Sequence, residues 1–195
     1  MTTVVRETKE TRVRVTIGLG RGSADVKTGE PFLDHMLTAF ARYGGLELVV
    51  EATGDLKHHL IEDVGITVGA AVHAITPVTC ARFGERLIPM DDALVQAAID
   101  LGGRFWYEGK LPSSLYEHFL RSFAEHAKAT LHVRVLRGRD KHHIVEAAFK
   151  SVGLALRQAL ADDPSGAVFS TKGSVELDVV RGGRHGDGVP KGELH

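Results

Sequence analysis

Two histidine pairs, each followed at fixed spacing by a glutamate, are the part of this sequence whose residue types could do chemistry. His58-His59-Leu60-Ile61-Glu62 recurs as His142-His143-Ile144-Val145-Glu146. Upstream of each pair lies one further histidine in the shared pattern H-x-L-x-x-F-A, His35 before the first pair and His118 before the second. The offsets nearly agree, 58 − 35 = 23 and 142 − 118 = 24, and Val68-Gly69 and Val152-Gly153 extend the match downstream. Self-similarity at a fixed period marks a duplicated unit. Packing explains repeated apolar positions, but it does not ask for His-His-x-x-Glu.

The chemistry suggested is metal binding. On a helix, residues four apart share a face, so His58 with Glu62, and His142 with Glu146, each reach one point; His59 and His143, turned by about 100°, face elsewhere. Adjacent imidazoles then suit two different ions. Each ion could take a histidine and the glutamate of one pair motif, a histidine of the other, and His35 or His118. Nitrogen-rich sets with one carboxylate suit Mn, Fe, Co, Ni or Zn. His73 and His132 have no partner in the repeat and read as ordinary surface or core groups, and His185 and His195 fall in a Gly-rich end.

A second chemistry is anion binding. Arg82, Arg104, Lys150 and Lys172 follow turn-like or motif-linked positions, and Ser170-Thr171-Lys172-Gly173 has the composition of a hydroxyl-and-backbone cradle. Lys150 lies two helical turns after His142, roughly 12 Å along the axis. Taken singly, each of these is an ordinary surface charge.

The elements that must position these residues follow from periodicity. Thr8–Ile17 alternates as a half-buried strand, and Gly18–Ser23 is a turn that lacks the third glycine of a dinucleotide fingerprint. Pro31 opens a helix carrying Leu33, Met36, Leu37 and Phe40, which ends at Gly44-Gly45. Leu46–Ala52 reads as a strand, and Ile61, Val64, Val68, Val72 and Ile75 mark a second helix entered through His58-His59. The second half repeats the order, with strands over Leu94–Leu101, Phe105–Glu108 and Thr130–Leu136. Leu115, Phe119 and Phe123 mark one of its helices, and Ile144 to Leu160 the other. A strand over 174–180 and a loose tail over 181–195 complete the chain. The pattern is α+β: a two-layer sandwich, duplicated, with repeats over 1–86 and 87–180 forming one compact unit.

Composition excludes several classes. Lys plus Arg number 24 and Asp plus Glu 25, a net charge of −1, so no global field draws the chain to nucleic acid or an anionic membrane. Cys80 stands alone, which rules out an internal disulfide and a Cys-rich zinc site. Met1–Arg6 has no apolar core, and the longest apolar stretch, Val64–Ile75, is too short to span a bilayer, so a cytoplasmic location is expected.

Taken together, Thr8-Lys9-Glu10-Thr11, Phe32-Leu33-Asp34-His35-Met36-Leu37, the two histidine-pair motifs and Ser170-Thr171-Lys172-Gly173 resemble the imidazoleglycerol-phosphate dehydratases. The likeness runs from about Arg6 to Gly173. It implies a duplicated fold like domain 2 of ribosomal protein S5, two Mn2+ ions per active site, and a large octahedral homo-oligomer with its sites at subunit interfaces. The implied metal ligands are His35, His58, His59, Glu62, His118, His142, His143 and Glu146, the eight residues of the repeat. The implied acid/base group is Glu10, with His35, His59, Glu62, His143 and Glu146 taking part in catalysis. The implied contacts to a phosphorylated imidazole substrate are Glu10, Arg82, Arg104, Lys150, Ser170, Thr171 and Lys172. Two departures stand out: Tyr43 occupies a position where many members have histidine, and Leu56-Lys57-His58 replaces a longer Asp-rich segment.

The implied reaction is dehydration of imidazole glycerol phosphate to imidazole acetol phosphate in histidine biosynthesis. The proton to be lost has no carbonyl beside it, so the imidazole ring must act as electron sink, with a metal favouring its anionic form. Two other readings compete: a metal-storage protein, which needs no cationic set, and a dinuclear phosphate-ester hydrolase, which would carry more carboxylate ligands.

Overall fold

Alternation along β2 (Thr11–Leu19), with Val13, Val15 and Ile17 fully buried and Arg12 and Arg14 exposed, gives a strand with one dry and one wet face. β2 pairs antiparallel with β1 (Thr2–Glu7) on one side and with β4 (Leu46–Gly54) on the other. β3 (Ser23–Lys27) closes the sheet parallel to β4, in the order β1-β2-β4-β3. Helix α1 (Pro31–Gly44) precedes β4, and α2 (Lys57–Ile75) follows it. The second half repeats this as β5 (Phe83–Met90), β6 (Ala93–Asp100), β7 (Trp106–Gly109), α3 (Ser114–His126), β8 (Thr130–Arg137) and α4 (Lys141–Ala159). Its sheet order is β5-β6-β8-β7, again with one parallel edge pair. The duplicated α+β architecture is therefore as expected. The computed structural model describes residues 1–163, so Ser170, Thr171, Lys172, the strand over 174–180 and the tail over 181–195 lie outside the described residues.

Three edge strands, β1, β3 and β5, escape the sequence pattern because their covered faces are only partly buried and carry few large apolar residues. Thr8, Lys9 and Glu10 form the turn of the β1–β2 hairpin rather than the start of a strand. The second sheet starts at Phe83, a few residues ahead of the division suggested by the repeat.

The halves meet through their helices: α1 lies against α4 and α2 against α3, while each sheet backs its own helices. Gly69 and Gly153, matched in the repeat, make these crossings close. A Cβ at Gly69 would stand 2.3 Å from the Phe123 carbonyl oxygen, and one at Gly153 2.7 Å from that of Phe40. Phe40 and Phe123, also matched in the repeat, meet edge to face at 5.6 Å. Lys57 pairs with Glu30, and the Phe32 and Tyr116 rings lie 5.0 Å apart. These contacts bring the N-termini of all four helices to one end of the molecule. Among the described residues, no helix is long and apolar enough to cross a membrane.

Candidate metal and active site

All eight repeat residues fall in the first two turns of those four helices. His35 and His118 are each the fifth residue of α1 and α3; His58-His59 and His142-His143 are each the second and third residues of α2 and α4. Because α1 packs on α4 and α2 on α3, the halves exchange their single histidines.

His35 joins His142 and Glu146, with its Nε2 3.4 Å and that of His142 3.1 Å from Glu146 Oε2. His118 joins His58 and Glu62, its Nε2 3.1 Å from Glu62 Oε1, while His58 Nε2 lies 3.6 Å from Glu62 Oε2. In each triad the donor atoms lie within 4.8 Å of one another. The i, i+4 convergence of each pair motif is thus realised, but within one chain no second-pair histidine completes either set.

These triads fit a metal ion. His118 Nε2 is buried and has no hydrogen-bond partner, although Glu62 Oε1 is 3.1 Å away. A shielded nitrogen with a carboxylate at its side but out of hydrogen-bonding line has the geometry of a ligand pair sharing a third centre. Two imidazoles and one carboxylate are also a donor set that divalent transition metals favour.

The outer histidines point elsewhere, as their 100° turn requires. The rings of His58 and His59 are inclined at 71° and those of His142 and His143 at 84°. His59 Nδ1 lies 3.1 Å from Asp55 Oδ1 and 3.4 Å from Glu10 Oε2. His143 Nδ1 lies 2.7 Å from Asp92 Oδ1, and its Nε2 3.4 Å from Asp91 Oδ2. The hydrogen bonds to Asp55 and Asp92 raise both imidazoles above their ordinary pKa. The bond from His143, with two backbone N–H donors, holds Asp92 down at about 2. Asp55, Asp91 and Asp92 were missed from sequence. Asp55 stands four residues before His59 and was findable by helical spacing; Asp92 is far from His143 along the chain and gave no local signal.

The triads are not electrostatically equal. Glu146 is buried and accepts from Lys150 Nζ at 2.8 Å, whereas Glu62 is partly exposed and position 66, the repeat counterpart of Lys150, is Ile66. Burial pushes the Glu146 carboxyl up, but the Lys150 hydrogen bond and charge, with His35, outweigh it and hold the group below the usual range. Lys150 does not sit far down the helix as axial spacing suggested, because helical side chains lean toward the N-terminus. Its ammonium also lies 5.5 Å from the centre of the Tyr43 ring.

Arg82 and Arg104 are not brought to the triads within the chain. The Arg82 N–H donates to Ala159 O at the C-terminal end of α4, a helix-length of roughly 25 Å from His142. Its guanidinium donates to Asp100 through Nε at 2.6 Å and Nη2 at 3.1 Å. Arg104 is exposed beside Thr130, on the same end of the second sheet.

Fold and site together define a duplicated α+β protein with paired histidine–glutamate triads at a shared helix end. A family model for imidazoleglycerol-phosphate dehydratase matches residues 28–156. The imidazoleglycerol-phosphate dehydratase of Anaeromyxobacter sp. is 46% identical over 187 residues, covering 87% of this chain and 91% of that protein. That of Methanoculleus marisnigri is 45% identical, covering 88% and 97%. A crystal structure of the Pyrococcus furiosus enzyme with the compound (S)-C348 superposes with a TM-score of 0.80 at 42% identity, covering 88% of this chain and all of that one. The chain belongs to the imidazoleglycerol-phosphate dehydratase family. It is accordingly a hydro-lyase.

Proposed function

We propose that the chain dehydrates imidazole glycerol phosphate to imidazole acetol phosphate in histidine biosynthesis, in the cytoplasm, using divalent metal held by His35, His58, His59, Glu62, His118, His142, His143 and Glu146. The observation that supports metal use most directly is the buried, unpartnered Nε2 of His118 facing His58 and Glu62. Manganese, two ions per site, is the choice the family resemblance favours, and the nitrogen-rich donor set suits it. When bound, the metal supplies Lewis acidity toward the substrate imidazole, making that ring the electron sink the reaction lacks.

The protein's own residues supply the rest. Glu10, on an exposed turn with its carboxylate 3.4 Å from His59 Nδ1, would take the proton lost from the carbon chain and return one to the enol carbon. The departing hydroxide leaves as water with the proton that the enol oxygen gives up on becoming a ketone. Glu10 sits outside both triads, but its carboxylate lies within 4.8 Å of donor atoms of His59 and Asp55, so in this reading it works beside a metal ligand. The β1–β2 hairpin that carries it is pinned to α2: Arg6 Nε donates to Asp63 Oδ1 at 2.8 Å, and Thr11 Oγ1 donates to Asp63 Oδ2. Lys150, beside Glu146, would hold an anionic group of the substrate against the site. Arg82, Arg104, Ser170, Thr171 and Lys172 would bind the phosphate. Since Arg82 and Arg104 lie a helix-length from their own chain's triads, this reading has them serve a neighbouring chain, and His59 and His143 complete metal sites across subunit boundaries of a large octahedral homo-oligomer.

Turnover tests the reading. Chelator-treated full-length protein should be inactive on imidazole glycerol phosphate and recover on manganese addition. Metal binding without turnover would favour a storage protein, and release of inorganic phosphate would favour a hydrolase.

A further inference from the structure

Both outer histidines have a carboxylate against Nδ1, but the two halves supply it from different elements. In the first half the group is Asp55, four residues before His59, whose Oδ1 also accepts the Leu56 N–H at 2.6 Å. The matching position in the second half, four before His143, is Arg139, which cannot accept a hydrogen bond. There the task falls to Asp92, the turn residue directly ahead of β6. Its Oδ1 faces His143 Nδ1 at 2.7 Å, and its Oδ2 accepts the N–H groups of Arg139 at 2.6 Å and Asp140 at 3.2 Å.

The residue in the same place in the first half, directly ahead of β2, is Glu10. The counterparts have opposite fates. Asp92 is engaged by three donors, whereas the Glu10 carboxylate takes no hydrogen bond among the described residues and stands only within 3.4 Å of His59. An ionised carboxylate can only accept, so the proton in the Asp55 and Asp92 contacts belongs to Nδ1, and in the neutral imidazole the lone pair is on Nε2. Asp91, 3.4 Å from His143 Nε2 and outside hydrogen-bonding geometry, does not fix that choice.

We infer that Asp55 and Asp92 are positioning residues that hold Nδ1 of His59 and His143 as donors and present Nε2 to an ion, and that transfer of this task to Asp55 in the first half frees its hairpin carboxylate, Glu10, for proton transfer. The inference explains why a duplicated site has its proton carrier on one half only. It rests on the reading of His59 and His143 as metal ligands given above.

The two carboxylates should fail differently on removal. Loss of such an outer partner typically lowers metal affinity by about 10- to 100-fold. In Asp92→Ala nothing replaces the lost acceptor, so manganese titration of the chelator-stripped full chain should show that drop, with kcat largely recovered at saturating metal. In Asp55→Ala, Glu10 remains within reach of His59 Nδ1 and takes over the contact. Manganese affinity should then fall less, while kcat stays low at saturating metal, as in Glu10→Gln. Parent-like affinity in Asp92→Ala, or full recovery of Asp55→Ala at saturating metal, overturns the inference.

Asp92 also binds the segment entering α4, so Asp92→Ala can lose structure. Solid-state 15N NMR of the stripped parent, at a pH where both imidazoles are neutral, is independent of any variant: protonation at Nδ1 of His59 and His143 is the expected result, and protonation at Nε2 with Nδ1 bare overturns it. Absence of manganese binding and turnover in the parent would instead defeat the metal reading, so the two failures are distinct.

Discussion

Replacing Gly69 by alanine tests whether helix crossing distance sets the geometry of the first triad. In an ordinary helix interior this change stabilises by about 0.5–1 kcal/mol. Here the added Cβ would sit 2.3 Å from the Phe123 carbonyl oxygen, where ordinary contact begins at 3.4 Å, so α2 and α3 must part by 3.4 − 2.3 = 1.1 Å. The clashing atoms include backbone of both Phe123 and Ala127, which a side-chain rotation cannot relieve. Overpacking of this kind costs about 1–3 kcal/mol, leaving the variant destabilised by up to about 2.5 kcal/mol net. Phe123 is five residues beyond His118, about 7.5 Å along α3, so the displacement reaches the triad. Metal–ligand distances tolerate only about 0.2 Å. Gly69→Ala should therefore weaken manganese binding at His58, Glu62 and His118 while sparing His35, His142 and Glu146. Gly153→Ala, with 2.7 Å to Phe40 O, should do the reverse and more mildly. Urea denaturation and manganese titration are the assays. A Gly69→Ala protein more stable than the parent, with both ions bound at parent affinity, refutes the reasoning.

Glu10→Gln should retain fold and metal stoichiometry and lose about 10²- to 10⁴-fold in kcat, the usual share of a general acid/base; parent-like turnover removes Glu10 from the mechanism. Arg104→Ala and Lys172→Ala should raise KM about 10- to 100-fold with kcat largely kept, since a charge-assisted phosphate contact remote from the reacting atoms supplies uniform binding worth about 1.5–3 kcal/mol. Unchanged inhibition by inorganic phosphate would count against that role. Removing metal should shift a large assembly toward smaller species, and His143→Asn should weaken assembly and activity together while Glu10→Gln spares assembly. Analytical ultracentrifugation of chelator-treated protein decides this, and an intact assembly would assign the cohesion to apolar contacts.

The ligand-bearing helices were legible in the sequence because each shows one apolar stripe and a clear start, as at Pro31, and because duplication repeats the pattern. The i, i+4 geometry alone placed Glu62 with His58 and Glu146 with His142. What periodicity could not reveal was which half's single histidine joins which pair. That depends on the α1–α4 and α2–α3 crossings, whose traces in the sequence were the matched Gly69 and Gly153 and the matched Phe40 and Phe123, with roles visible once Phe123 O and Phe40 O are seen beside the glycines. Edge strands such as β3 were illegible for a simpler reason: Ser23–Lys27 has no fully buried side chain. Asp92 was hidden because its partnership with His143 is purely tertiary. Lys150 was found but misplaced, since axial rise ignores the backward lean that carries its ammonium to Glu146.

The central claim is that the two repeat-derived triads are metal sites of the dehydratase. Anomalous diffraction from crystals of the full chain grown with manganese tests it most directly. The account predicts two strong peaks per chain, one bounded by His35, His142 and Glu146 and the other by His58, His118 and Glu62, each closed by Nε2 of His59 or His143 from a neighbouring copy. Peaks elsewhere, or none at either triad in crystals of active protein, would contradict it.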